Sequence, residues 1–334
     1  MNNDIEKLIS YAILAPSPRN NQPWKFLIEN NKVHLFFDPT KALPSLDPNN
    51  RESYIALGAA LENLLIAAKK FNYDFSIDYF PQGETNKEEI AVVELKKRKD
   101  KKEIEYELFY FVEKRNTNRN PYTSEPVSQD IIDELTRIAI NGNTNLYFIK
   151  DPIVKSLTAF MTMQATQKEY ENGSIYRDLY STLRFSELEA RQKGDGLEVK
   201  GLVRRFITRY VYHWKILPRL NIFRISKVLS LSSKKLLEHT PIVGLLTSRE
   251  VSHLEYIKGG QVWEQIALTA CKYNLSTHPV SAPLELPEFD TAVRTIFDVE
   301  SKEGLLILFR LGYGPPAGRS LRRSVEQVIV KTSR

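Results

Sequence analysis

Two segments recur, in the same order, in the two halves of this chain, and the recurrence limits the folds open to it. Residues Ile5 to Ile13 and Ile132 to Ile140 share the pattern I-[ED]-[KE]-L-x-x-x-A-I, with apolar residues at helical spacing. Further on, Gly58 to Asn72 aligns without gaps on Gly260 to Asn274, with Gly, Glu, Ala, Lys and Asn coinciding. One amphipathic helix resembles another by accident, whereas two matches in one order indicate a duplicated unit. Ile5 to Gly58 is 53 residues and Ile132 to Gly260 is 128, so the second copy carries roughly 75 additional residues. The insertion is expected over about 166–238.

Each copy reads as a helix, then strands, then a long helix. The first has β-rich sequence at Val33 to Asp38, a long helix over 51–72, and strands near 74–80 and 89–97. The second has a strand at Leu146 to Lys150 and a strongly apolar one at Gly304 to Gly312. The polar, Lys-dense run Glu94 to Glu105 reads as a solvated connection. Two half-domains, 1–103 and 104–334, in an α+β arrangement follow. The Gly and Ala residues opening both long helices let two helices approach closely, which suits an interface between the halves.

Composition is ordinary for a globular chain, but charge is uneven. The net charge is +6, yet ten Lys and Arg and no acidic residue fall between Lys200 and Lys235, and the remainder is slightly acidic. Within that stretch Leu202 to Leu217 interleaves basic and aromatic residues at near-helical spacing. Three readings stay open: a lid with its apolar side inward, peripheral contact of 200–235 with an anionic membrane, or an interface to a partner or a second subunit. No nucleic-acid module is recognisable. No apolar run approaches the ~18 residues that span a bilayer, and the N-terminus lacks the features of a signal peptide. A lone cysteine, Cys271, excludes an internal disulfide, so a cytoplasmic location is expected. The five histidines are dispersed, without metal-ligand spacing.

Three segments offer chemistry. Ala15-Pro-Ser-Pro-Arg-Asn-Asn-Gln-Pro-Trp24 combines three X-Pro bonds with hydrogen-bonding side chains, and equally suits a capped turn. Arg115-Asn-Thr-Asn-Arg119 sets two guanidiniums four residues apart around a hydroxyl, a compact anion-binding set if held on one helical turn. Arg319-Ser-Leu-Arg-Arg323 follows a Gly-Tyr-Gly-Pro-Pro turn and by itself reads as a solvated basic tail.

Together these segments resemble the nitroreductase superfamily of flavoproteins, in particular its fused Acg-type branch. Ala15 to Phe26 matches A-P-S-x-x-N-x-Q-P-W-x-F, Arg115 to Tyr122 matches an R-x-[ST]-x-R entry, and Leu311 to Pro316 with the basic cluster matches the family's C-terminus. The resemblance implies two fused half-domains forming an internal pseudo-dimer, a helical insertion acting as lid, and one FMN between the halves, the second site being degenerate. It implies that Arg115, Thr117, Arg119 and Arg322 or Arg323 hold the phosphate, that Pro16, Ser17, Asn20 and Gln22 line the ribityl and ring, and that backbone N–H groups of Ser281 or Ala282 reach flavin N5. Asn141 to Asn145 replaces the A-P-S loop in the second half, and the Glu-Gly usual near N5 is missing. The implied activity is hydride transfer from NAD(P)H through FMN to a small-molecule acceptor such as a nitro compound or quinone, with no side chain needed as catalytic acid or base. The alternative is a stress-related protein that holds flavin without turnover. A monomer and a homodimer are both compatible with this reading.

Overall fold

The computed structural model describes residues 2–84, 88–99, 106–213, 215–216 and 225–330. Helix α1 (Asn2–Ala12) leads through a loop to strands β1 (Trp24–Glu29) and β2 (Lys32–Phe37). Helix α2 (Arg51–Lys70) precedes β3 (Tyr73–Tyr79) and β4 (Glu89–Lys97). The second half opens with a short helix α3 (Phe109–Val112), then α4 (Gln129–Asn141) and β5 (Thr144–Ile149). Helices α5 (Pro152–Glu171), α6 (Gly173–Ser181), α7 (Glu187–Lys193), α8 (Leu202–Phe206) and α9 (Ile225–Glu238) follow, with two-residue strands β6 (Leu183–Arg184) and β7 (Leu197–Glu198) between them. The chain then forms β8 (Ile242–Ser248), α10 (His253–Lys272), β9 (Ser276–Pro279), α11 (Ala282–Glu285), α12 (Asp290–Phe297), β10 (Gly304–Gly312) and α13 (Val325–Val328).

The duplication is visible in the topology. One sheet runs β1-β2-β4-β3 and the other β5-β8-β10-β9, every neighbour antiparallel. In order of appearance both follow first, second, fourth, third. Helices α2 and α10 are each 20 residues long and stand 202 positions apart (253 − 51). Each is followed by an asparagine with left-handed backbone, Asn72 at φ 62° and Asn274 at φ 58°, again 202 apart. Asn tolerates that conformation better than other side chains, so it ends both helices alike.

The two helices cross where the sequence placed its small residues. A Cβ built on Gly58 would sit 1.9 Å from the carbonyl oxygen of Ile257, and one on Gly260 would sit 2.0 Å from that of Ile55. Ile55 and Ile257 are themselves 202 apart, so the contact is symmetric. Each half also lends an arm to the other. Ile329, in the C-terminal arm, bridges to Phe26 of β1, and Thr117, in the segment after β4, bridges to Thr277 of β9.

The insertion is wider than the sequence spacing indicates. In the first half only Asn30 and Asn31 separate β1 from β2, whereas residues 150–241 separate their counterparts β5 and β8. The expected bounds of 166–238 were too narrow because the first half has longer loops before β1 and after β2, which offset part of the insertion. The expected boundary at 103/104 lies outside the described residues, as do Trp214 and Leu217 of the basic segment. Leu202, Val203, Phe206 and Tyr210 are exposed there. No described helix is long and apolar enough to cross a membrane.

Candidate functional site

A cavity of about 340 Å³ lies between the two halves, a size within the usual range for small-ligand sites. Its apolar lining comes from Ile55, Ala56 and Ala59 of α2, Trp263 of α10, and Leu306 and Ile307 of β10. Two helices of the insertion wall it: Thr162, Thr166, Glu169 and Tyr170 from α5, and Ser232, Ser233 and Leu236 from α9. Arg310, wholly buried on β10, donates to the carbonyl of Leu236 at 3.1 Å and so ties α9 to the sheet beneath.

Six of the residues expected at a flavin site line this cavity: Pro16, Ser17, Thr117, Arg119, Ser281 and Ala282. Thr117 and Arg119 are brought there by the bridge to β9. The Arg119 guanidinium has no hydrogen bond or ion pair among the described residues, although Arg19 and Arg310 lie close enough to repel it. Burial, reinforced by those two cations, pushes its pKa down to about 10, so it stays charged at neutral pH. Arg119 nevertheless keeps accessible surface, which leaves the cavity in communication with solvent. The Ser281 and Ala282 amides, at the start of α11, donate to no described acceptor, as expected for the first turn of a helix.

Five expected residues turn elsewhere, and each has a visible reason. Arg115 Nε lies 3.2 Å from Glu264 Oε1, and its other end donates to the Leu14 carbonyl at 2.9 Å. Arg322 donates to Asn20 Oδ1 and to the carbonyls of Leu14 and Ala15. Arg323 is spent on the Gln22 and Trp24 carbonyls and lies 3.6 Å from Asp38. Asn20 Nδ2 donates to Gly196 and Leu321, while Gln22 Nε2 donates to Gly194. These five brace the A-P-S loop against the insertion and the C-terminal arm instead of facing the cavity. The brace matters because Arg19, Asn20 and Gln22 all have positive φ (50°, 57° and 54°), a conformation that must be held by its surroundings.

Sequence reasoning passed over Arg19, which the left-handed turn aims into the cavity. It is the one charged residue of Ala15 to Trp24, a signal that was legible. His278, one of the five dispersed histidines, also lines the cavity, beside Pro279. Arg310 Nε and Nη2 approach its Nδ1 at 3.1 and 2.9 Å. That nitrogen therefore accepts, and the ring proton belongs on Nε2. Burial, with the charges of Arg310, Arg119 and Arg19, holds its pKa well below the usual value, so the ring is neutral.

The cavity is also lined by three carboxyls that no motif announced: Glu52, Glu169 and Glu285. Burial raises all three; Glu285 also raises Glu52, which reaches about 8, and contact with Glu169 raises Glu285 further. In an unfolded chain these groups ionise near 4.5, so the folded state retains protons that the unfolded chain has lost. Stability is therefore expected to fall as pH rises from about 4.5 to about 8. Thermal melts of the flavin-free protein across that range check this, and Glu52→Gln should flatten the slope; a melting temperature that rises with pH there contradicts it.

At the position related to the cavity by the same 202-residue offset, larger side chains bond to one another. Tyr79 replaces Ser281 and Gln261 replaces Ala59, and the Tyr79 hydroxyl donates to Gln261 Oε1 at 2.8 Å. Gln261 in turn donates to Glu62 at 3.1 Å. Side chains bonded to one another occupy that corner.

Comparison with known proteins gives the same frame. No family model matches the chain. A Mycobacterium tuberculosis protein provisionally named NAD(P)H nitroreductase is 22% identical over 333 residues, spanning 97% of this chain and 90% of its own length. A second M. tuberculosis protein, provisionally named NAD(P)H nitroreductase acg, is 24% identical over 177 residues, 53% of each chain. These relatives support a likeness to the nitroreductase superfamily and its Acg-like branch. Among solved structures, the FMN-dependent nitroreductase NfnB of Mycobacterium smegmatis in complex with NADPH covers 67% of this chain and 96% of its own, at 14% identity and a TM-score of 0.43. The paired sheets and crossed helices of this nitroreductase-like chain form two related halves on a single polypeptide.

Proposed function

We propose that this chain binds one FMN in the cavity between its halves and reduces a small oxidised acceptor, such as a quinone or nitro compound, at the expense of NAD(P)H. The observation that carries the reading is Arg119, a charged guanidinium with no partner among the described residues, facing a cavity with an apolar floor. An anionic group is what would satisfy it. The other donors suit the same ligand. The free Thr117 hydroxyl stands beside Arg119, the Ser281 and Ala282 amides offer N–H groups to a ring edge, and His278 offers a neutral Nε2–H donor. The apolar floor of Ile55, Ala56, Ala59 and Trp263 suits a flat ring system. Arg115, Arg322 and Arg323, which the family resemblance would assign to phosphate, are engaged with protein oxygens; Arg19 and Arg119 take that role here.

When bound, the flavin supplies the two-electron chemistry. The chain's own residues orient it, compensate its charge and limit water. Arg119 and Arg19 fix the anionic end, Pro16 and Ser17 cover one side, and the insertion helices α5 and α9 close the rest while the approach beside Arg119 stays open. That opening favours turnover over sealed storage.

Anaerobic addition of NADPH or NADH to the FMN-loaded protein tests the reading. Loss of the flavin's visible absorption, and its return on adding a quinone, is the expected result. Colour that persists with both nucleotides overturns the reductase assignment and favours a flavin-holding role.

A further inference from the structure

We infer that the Glu169–Glu285 carboxyl pair is an acid site, supplying the proton that an acceptor takes up as it is reduced in the cavity. The inference rests on the oxidoreductase reading above. Glu169, on α5, is 1% exposed, and Glu285 ends α11, four residues after Ser281. Both carboxyls line the same cavity, close enough for each to act on the other's charge. Neither Glu169 Oε1 nor Glu285 Oε2 receives a hydrogen bond from any amide, hydroxyl or cation. Two carboxyls this close, lacking other donors, are joined by a proton held between them, because both cannot ionise side by side out of water.

The surrounding charges agree. Glu52 and Arg51 face the pair from α2, Arg19 faces it from the A-P-S loop, and Tyr170 stands next to Glu169. Arg51 lies 3.5 Å from Glu52 and donates to the Leu284 carbonyl at 2.7 Å, and Arg19 makes no ion pair among the described residues. At neutral pH Glu52 is mostly un-ionised, its pKa raised to about 8, so the single negative charge of the pair faces the two guanidiniums. No grouping of described residues could hold a metal ion in its place. An independent observation points to a ligand at this wall. Thr166, one turn before Glu169 and only 8% exposed, lines the cavity with a hydroxyl that has no partner among the described residues.

The balance is direct. Reducing a quinone to a hydroquinone adds two electrons and two protons. The nicotinamide donor furnishes a hydride, which carries both electrons and one proton. The second proton passes from the carboxyl pair to the acceptor oxygen, the O–H bond forming as the carboxyl O–H bond breaks. The pair is left as two carboxylates, which recover a proton from water. Glu52, Arg51 and Arg19 stay fixed in charge throughout.

The test compares the FMN-loaded protein with Glu285→Gln and, as a second variant, Glu169→Gln. Rapid-mixing measurements follow reoxidation by a quinone, which needs protons, and by ferricyanide, which takes electrons alone. The ratio of quinone to ferricyanide rates should fall about tenfold or more in either variant. Infrared difference spectra at neutral pH, flavin-free parent minus each variant, should show the loss of one un-ionised carboxylic-acid carbonyl stretch, beside the band that Glu52 contributes throughout. An unchanged rate ratio, or no such loss in either variant, overturns the proposal. If nicotinamide fails to reduce the bound flavin, the oxidoreductase reading falls and the catalytic role with it, while the infrared difference still decides whether the pair holds a proton.

Discussion

Arg119→Ala should weaken FMN binding by about a hundredfold while making the flavin-free protein more stable. The two effects share one cause. Arg119 is charged, crowded by Arg19 and Arg310, and satisfied by no described side chain. Charged contacts of this kind are worth about 2–5 kcal/mol when one partner is removed, and ~2.8 kcal/mol corresponds to a hundredfold change in affinity. Without ligand the same guanidinium is held beside like charges, with part of its surface open to solvent. Removing it relieves that repulsion, as often happens where a binding site is built at the expense of stability. Fluorescence titration with FMN gives the affinity and thermal melting gives the stability. A variant that melts earlier and binds FMN as tightly as the parent would show that Arg119 is structural.

Gly260→Ala should destabilise the fold by about 3 kcal/mol and cost flavin affinity as well. The added Cβ would meet the carbonyl oxygen of Ile55 at 2.0 Å, backbone against backbone, so no rotamer change relieves it. The helices must separate along their crossing, and that crossing is the cavity floor: Ile55, Ala56 and Ala59 lie on one helix and Trp263 on the other. Gly58→Ala, with its Cβ 1.9 Å from the Ile257 carbonyl, should behave alike because the contact is symmetric. Gly173→Ala is the control, since nothing lies within 4 Å of the added carbon at the start of α6. Urea unfolding measures all three. Equal midpoints for Gly260→Ala and the control would mean the two helices do not meet as described.

Much of the architecture was legible in the sequence because it rests on local pattern. The long helix expected over 51–72 forms over 51–70, closed by Asn72, and its repeat reappears 202 residues later with the same length. The close helix crossing was legible because only small residues permit it. The insertion's limits were not, since loop lengths elsewhere in the two copies partly cancel its length. At the site, the family motifs brought Pro16, Ser17, Thr117, Arg119, Ser281 and Ala282 to one cavity. The same motifs misled for Arg115, Arg322 and Arg323. Whether an arginine faces a ligand or a carboxylate depends on which distant residue the fold brings near, and Glu264 lies 149 positions from Arg115. The carboxyl wall was invisible for a related reason. Glu52, Glu169 and Glu285 come from three separate segments of ordinary polarity, and a buried glutamate reads no differently along the chain from a solvated one.

The account turns on a single flavin held between two halves of one chain. Its most direct test is FMN titration of the purified 38.6 kDa chain, followed by the shift of the flavin's visible bands on binding. The account predicts saturation at one FMN per chain, with perturbed flavin bands and quenched fluorescence. Saturation at two would contradict the counterpart corner occupied by Tyr79 and Gln261, and a protein that leaves FMN free in solution would contradict the cofactor assignment itself.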